Sequence, residues 1–322
     1  MTRFGYTLMT EQSGPKDIVR YGIRSEDVGF DFAVSSDHYS PWLTEQGHAP
    51  YAWTVLGAVA QATSRVELMT YVTCPTIRYH PAVVAQKAAT LQLLSEGRFT
   101  LGLGAGENLN EHVVGEGWPA VDARQDMLQE AIEIIRALHT GELTTYDGAY
   151  FRVDSARIWD LPEESVPLAV AVSGDKSVEA FGSQADHLIQ VQPDADVVAK
   201  WRAVHGPGSR VIGQLPICWG PDKDAAIAQA HAQFRWFGGG WAVNADLPTP
   251  AGFAAASRFV RPDDVAEAIA CGPDLDELAA SAQPFLDAGF TDIAFVQVGD
   301  EGQDRFLAEA AGPLLEKVRA LA

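Results

Sequence analysis

Three observations predict an α/β fold, a (β/α)8 TIM barrel of parallel strands. Eight short apolar runs alternate with helical patterns across 322 residues. No composition break between them is long enough to be a linker, so one domain spanning 1–322 is expected, with insertions near 143–165 and 238–260. The first helix does not open on GxGxxG, and Gly102-Leu103-Gly104-Ala105-Gly106 is spaced as strand, which places a doubly wound open sheet second.

The elements follow in order. Residues 3–9 read as a first strand, and Pro15 suits the first turn of a helix over 15–28. Phe30-Asp31-Phe32-Ala33-Val34 begins a second strand, a helix near 53–63 follows, and Val66 to Val72 makes a third strand. Residues 82–96 are helical and stop at Gly97, suited to a C-cap. Phe99 to Gly106 forms the fourth strand, with glycines crowding its end. Met127, Leu128, Ile132, Ile135 and Leu138 share one face of a helix over 122–140. The alternation breaks at 143–165, where Asp147-Gly148 suits a hairpin turn. Strands at 167–172, 187–191 and 210–219 then alternate with helices at 176–184, 194–204 and 222–237. A Gly-, Pro- and Ala-rich stretch, 238–257, reads as an inserted loop. Helices near 262–270 and 274–288, a strand at 290–296 and a helix over 303–321 complete the pattern.

Composition excludes several classes. Hydrophobic residues at 47% and charged residues at 20% are ordinary for a soluble globular chain. The net charge of −20 makes nucleic acid and anionic membrane surfaces poor partners, while leaving a small-molecule substrate open. No apolar run approaches the ~20 residues that span a bilayer, and the amino terminus enters a strand pattern without a signal-like region. Cys74, Cys218 and Cys271 are too widely spaced for a CxxC metal site, and no HxxxH or carboxylate cluster speaks for a metal. A cytoplasmic location is expected.

A barrel builds its site at the carboxyl ends of its strands. The candidates fall there: Glu11 after strand one, then Asp37, His38 and Trp42 within Ser36-Asp37-His38-Tyr39-Ser40-Pro41-Trp42 after strand two. Imidazole gives and takes protons near neutral pH, so His38 is a candidate acid–base group. The same run also fits a capping Asp, a surface His and a core Trp. Tyr71 to Thr76 follow strand three, and Glu107 with Asn110 follow strand four. Glu107 ends an apolar, glycine-rich run, so a raised pKa is expected for it; a capping role is the competing reading. Ser173-Gly174-Asp175-Lys176-Ser177 opens a helix, where backbone N–H groups, a hydroxyl and an ammonium suit a phosphate.

These residues resemble the luciferase-like superfamily of flavin and deazaflavin enzymes, in the branch of coenzyme F420-dependent glucose-6-phosphate and alcohol dehydrogenases. The resemblance runs nearly end to end and is most specific at Ser36 to Trp42, Gly104 to Glu111 and Pro75 to Pro81. It implies that Asp37 and Asn110 contact the deazaflavin, that Gly106 lines it, and that Tyr71-Val72 is a non-proline cis peptide against the ring. Cys74 falls where the sugar-phosphate enzymes use a threonine on the cofactor. Ser173, Gly174, Lys176 and Ser177 match the segment holding the cofactor phosphate and tail, where Lys176 replaces an apolar residue. For catalysis it implies His38, Trp42 and Glu107, with His38 and Glu107 dividing the proton transfers, His38 towards the substrate hydroxyl and Trp42 positioning the substrate. Glu11 matches a substrate-pocket carboxylate, and Val191 and Trp241 are grouped with that pocket. Relatives of this kind are often homodimers.

The departures narrow the substrate. Where the sugar-phosphate enzymes hold phosphate with two lysines and an arginine, this chain has Asp194, a loop residue such as Trp241, and Ala268, unless Arg258 or Arg261 compensates. An uncharged alcohol, aldehyde or ketone is expected over a sugar phosphate. The alternatives are an FMN-dependent monooxygenase, a non-catalytic flavin- or deazaflavin-binding protein and, more remotely, a pterin-dependent reductase.

Overall fold

The computed structural model describes residues 2–172 and 174–322, leaving aside the side chains of residues 175 and 176. Eight parallel strands close on themselves: Arg3–Leu8, Phe32–Ser35, Glu67–Thr70, Phe99–Leu103, Leu168–Ala171, His187–Ile189, Val211–Trp219 and Asp292–Gln297. Closure comes from pairing of Val211–Trp219 with both His187–Ile189 and Asp292–Gln297, and of Asp292–Gln297 with Arg3–Leu8. The expected barrel is therefore the observed one. Among the described residues no helix is long and apolar enough to cross a membrane.

Side chains fill the barrel in layers. At the amino-terminal end Arg3 and Arg210 each bridge Glu67 and Asp292, with contacts of 2.5–3.0 Å, and both guanidinium groups lie over the Phe32 ring. Above them Phe32, Val34, Met69, Ala169, Ile189, Ile212 and Ala294 form a dry layer, overlaid by Tyr71, Val72 and Ala171. The chemistry is thereby confined to the carboxyl end. Helices Pro15–Val28, Ala52–Ala62, Pro81–Leu94 and Val121–Leu138 cover the outside through a continuous apolar core.

Glycine permits one close approach that shapes the site. A Cβ on Gly102 would lie 1.9 Å from the Thr70 carbonyl oxygen, so strands three and four meet only because that position is bare. The Thr70 hydroxyl bridges the gap, donating to the Gly102 carbonyl at 2.9 Å and accepting its N–H at 3.0 Å.

Several boundaries differ from the sequence reading. The fourth strand stops at Leu103, and 104–107 turn into the short helix Asn108–Glu111. The hairpin is present as Thr144–Asp147 against Arg152–Ala156. The stretch read as a loop carries a 3-10 turn, Arg235–Gly239, and helices Trp241–Asn244 and Pro250–Ala256; Pro250 at the start and the Thr249 hydroxyl on Gly252 N–H specify the last. A short strand, Ala270–Gly272, extends the sheet outside the barrel by pairing with Val211–Trp219. The helix expected over 274–288 is two, Leu275–Ala280 and Gln283–Asp287, the second opening on Pro284; the last helix likewise divides into Gln303–Glu309 and Ala311–Leu321.

The basal ion ring makes a pH-dependent prediction. Burial alone would raise the Asp292 pKa, but Arg210 and Arg3 outweigh it and hold the carboxyl below its ordinary 3.8. A depressed folded pKa stabilises above the unfolded value and loses that contribution as pH falls through the folded one. Asp292→Asn should therefore cost on the order of 3 kcal/mol in urea unfolding at pH 7. The deficit should close below pH 3.8; a deficit unchanged at pH 3 contradicts the assignment.

Candidate active site

Four loops at the carboxyl end of the barrel assemble one buried polar cluster. Thr10 ties the first loop to the second, its N–H and hydroxyl both lying within hydrogen-bond distance of Ser36 Oγ. The Thr10 and Ser36 hydroxyls donate to one oxygen of Glu11, at 3.1 and 2.5 Å. That leaves the other Glu11 oxygen 3.0 Å from His38 Nδ1, which also lies 3.3 Å from the Ser40 carbonyl oxygen. His38 Nε2 is 3.1 Å from Glu107 Oε1. His38, Glu11 and Glu107 are buried, at 8%, 1% and 8% exposure.

Both ring nitrogens thus face oxygens that only accept, which requires two N–H groups and a positive ring. Burial opposes that charge, but Glu11 and Glu107 overcome it and push the His38 pKa up to about 9. The same pairing overturns the expected raised pKa of Glu107. Burial does push that carboxyl up, yet the His38 bond, the His38 charge and the Asn110 amide hold it below the ordinary value. An apolar sequence setting did not reveal the cation brought to Glu107 from another strand.

Asn110 joins the second and fourth loops. Its Oδ1 accepts the N–H groups of Tyr39 and Ser40 at 2.8 and 3.2 Å, and its Nδ2 donates to Glu107 Oε1 at 2.8 Å. The Asp37 carboxylate accepts from Trp53 Nε1, Thr73 Oγ1, Tyr79 OH and Arg78 Nη2 at 2.7–3.3 Å, a set of partners that sequence reasoning did not assign. Trp42 lies 4.8 Å from the His38 ring, stacks on Trp236 at 4.1 Å and meets Phe253 edge-on. Trp236 and Phe253 come from the segment around 235–256; the run Phe234-Arg235-Trp236-Phe237 was the signal available for them. That segment is pinned over the site, because Asn108 N–H and side chain donate to the carbonyls of Ala245 and Asp246.

The third loop lies beside this cluster. The Tyr71-Val72 peptide is cis, as the resemblance implied. Cys74 is buried, which pushes its thiol pKa well up. Gly106 has φ +91°, and a Cβ there would crowd Glu111, Thr76 and Trp118 at 3.2–3.5 Å. Among the described residues, the buried hydroxyls of Tyr71 and Thr76 have no hydrogen-bond partner. A glycine edge beside unpaired donors fits a flat polar ring such as a deazaflavin.

Gly174 precedes the helix Asp175–Phe181, and Ser177 is buried with its hydroxyl accepting from Gln125. Ser173 and the Lys176 side chain lie outside the described residues. Val191 and Trp241 are exposed, at 44% and 53%. Asp194 caps the helix Ala195–His205, accepting the N–H groups of Asp196 and Val197. Arg261 is paired with Asp264, and Arg258 lies over the Phe259 ring.

Comparison with known proteins gives a consistent picture. Residues 1–292 match the model of the family described as luciferase-like monooxygenase. An F420-dependent glucose-6-phosphate dehydrogenase of Amycolatopsis mediterranei (strain U-32) is 35% identical, over 100% of both chains. The solved structure of an F420-dependent secondary alcohol dehydrogenase, in complex with an F420–acetone adduct, superimposes with a TM-score of 0.90 at 29% identity, over 99% of both chains. A monooxygenase from Streptomyces bottropensis shares the fold alone, with a TM-score of 0.75 at 18% identity, over 98% of this chain and 99% of that one.

The His38 assignment is directly measurable. A pKa raised in the folded state stabilises fully below the ordinary 6.5 and loses that contribution as pH rises through about 9. Histidine-selective NMR of the free protein should show His38 losing its proton near pH 9. In Glu107→Gln the titration should move down towards 6.5. A wild-type midpoint already at 6.5 contradicts the two-carboxylate arrangement.

Proposed function

The chain belongs to the luciferase-like family, and from that premise we propose that it is a coenzyme F420-dependent oxidoreductase interconverting an alcohol and its carbonyl compound. The observation that carries the reading is His38 held at 3.0 and 3.1 Å between Glu11 and Glu107. Coenzyme F420 supplies a deazaflavin that accepts or returns hydride. Tyr71, Val72, Cys74, Gly106 and Asn110 would border the ring, with Asp37 ordering the loop beside it. Gly174 and Ser177, together with Ser173 and Lys176, would hold the phosphate and tail.

The chain's own residues manage the proton. Among the described residues, Nδ1 of His38 is held twice, by Glu11 and the Ser40 carbonyl, whereas Nε2 has the single Glu107 contact. Nε2 is therefore the atom that exchanges a proton with the substrate oxygen. In reduction the imidazolium gives its proton to the oxygen gaining charge. In oxidation the neutral ring takes and keeps the hydroxyl proton, and Glu107, ionised beside it, stabilises the imidazolium that forms. Trp42, backed by Trp236 and Phe253, gives the substrate an apolar wall.

An uncharged substrate fits these surroundings. Asp194 is engaged as a helix cap, and Ala268 brings no charge. Arg261 is neutralised by Asp264, so it is a poor replacement for a phosphate-binding cation.

A homodimer and a cytoplasmic location complete the reading. Helices Ala52–Ala62 and Pro81–Leu94 carry Lys87 as their one charged residue, in a chain of net charge −20. Their outward Val83, Leu93 and Leu94 are exposed and suit a self-complementary contact. Cys218 and Cys271 are register neighbours yet free, which suits a reducing compartment.

Three experiments test these proposals. Fluorescence titration should give tight F420 and weak FMN binding, and a panel of alcohols should reduce F420. His38→Asn and Glu107→Gln should each lose ~10²–10⁴-fold in turnover with F420 affinity largely kept. Undiminished turnover, or FMN-dependent oxygen consumption, contradicts the proposal. Light scattering should find two chains in the wild type and one in Leu93→Glu; a wild-type monomer contradicts the dimer.

A further inference from the structure

Beyond the groups that touch the ring of His38, the peptides on either side of it are held from a single turn of helix. Asn110 and Glu111 are adjacent in Asn108–Glu111, the helix that Glu107 precedes. Glu107 meets the imidazole, and Asn110 accepts the N–H groups of the two residues that follow it. Glu111 reaches the residue before it through Arg78. One Glu111 oxygen accepts the Arg78 backbone N–H at 2.7 Å, and the other lies 3.7 Å from Arg78 Nε. From there Arg78 Nη2 donates to the Asp37 carbonyl oxygen at 2.6 Å and to its carboxylate at 3.3 Å. Glu111 is 1% exposed and the Arg78 side chain 7%, so water does little to replace these contacts.

We infer that Glu111 is a positioning residue for His38, acting through the Arg78 guanidinium on the Asp37 carbonyl. The inference rests on the proposed acid–base role of His38 for its significance, but not for its test. Burial pushes the Glu111 carboxyl up to about 7, and above that pH the buried carboxylate facing the buried guanidinium fixes that group far more firmly than an exposed pair does. If the carboxylate is lost, Arg78 loses the acceptor of its backbone N–H and the charge facing its guanidinium, and the Asp37 carbonyl loses its fixed donor. The His38 ring then departs from the line between Glu11 and Glu107. Proton transfer is sensitive to displacements of this kind, of order 1 Å.

The test reads the His38 imidazole itself by NMR titration of the cofactor-free protein, in Glu111→Ala, Glu111→Gln and Arg78→Lys. The charged groups facing the ring are Glu11, Glu107 and Arg78, and none is altered in the two Glu111 variants. In Glu111→Ala the midpoint should fall from about 9 towards the ordinary 6.5. Glu111→Gln keeps an acceptor for the Arg78 N–H and should restore part of the difference. Arg78→Lys, which cannot span Glu111 and Asp37 together, should behave like Glu111→Ala. Thermal melting is followed in parallel. Lowered melting temperatures with an unmoved His38 midpoint would mean a purely structural role and overturn the inference. If Glu111→Ala does not fold, the other two variants decide by the same criterion. Failure of the F420 proposal would appear instead as absent cofactor binding with this titration pattern intact.

Discussion

A charged imidazole buried between two carboxylates forms only where every partner is held at hydrogen-bond distance, and most of the carboxyl face of this barrel serves that requirement. Taking three ionised groups out of water costs several kcal/mol each. The cost is met by aiming hydroxyls, amides and backbone groups at the charges. Glu11 takes the hydroxyls of Thr10 and Ser36, Glu107 takes the Asn110 amide, and the ring of His38 joins them. Remove the cation and two buried carboxylates face each other across the gap.

The barrel makes this arrangement possible by division of labour. Its amino-terminal end is sealed by the Arg3, Glu67, Arg210 and Asp292 ring, and its middle is dry. Strands one, two and four deliver Glu11, His38 and Glu107 to neighbouring positions at the other end, although 96 residues of sequence separate the first from the last. Gly102 brings strands three and four close enough for the loops beyond them to pack. The segment around 235–256 closes over Trp42 as an aromatic wall, so the chemistry faces an apolar surface.

The fold was legible because period and punctuation agree along the chain: Pro15 opens its helix as expected, while the helix expected over 82–96 runs Pro81–Leu94 and is capped at Ser95, two residues before Gly97. The barrel strands were found, and their ends were overestimated where glycine allows the backbone to turn, as after Leu103. The region around 238–257 was misread because Gly, Pro and Ala weaken a helical pattern, while Pro250 and the Thr249 cap supply it locally. Of the site, the residue types were visible but their pairing was not. Nothing near Glu107 in sequence announces that His38 will sit against it, so its pKa direction was misjudged. Arg78 and Glu111 were passed over for the same reason, since each has meaning only through Asp37 on another strand. Long-range charge pairing is what sequence patterns carry least.

The arrangement ties direction to pH. On the proposed role of His38, an imidazole protonated at neutral pH gives carbonyl reduction its acid, whereas alcohol oxidation waits for the ring to lose a proton. The most direct measurement is kcat/KM against pH in both directions for one alcohol–carbonyl pair with F420. Oxidation should rise and reduction should fall through a common midpoint near 9, the value set by Glu11 and Glu107 around His38. Oxidation already at its plateau by pH 6.5, with no limb above it, would contradict a His38 held as the cation between two carboxylates.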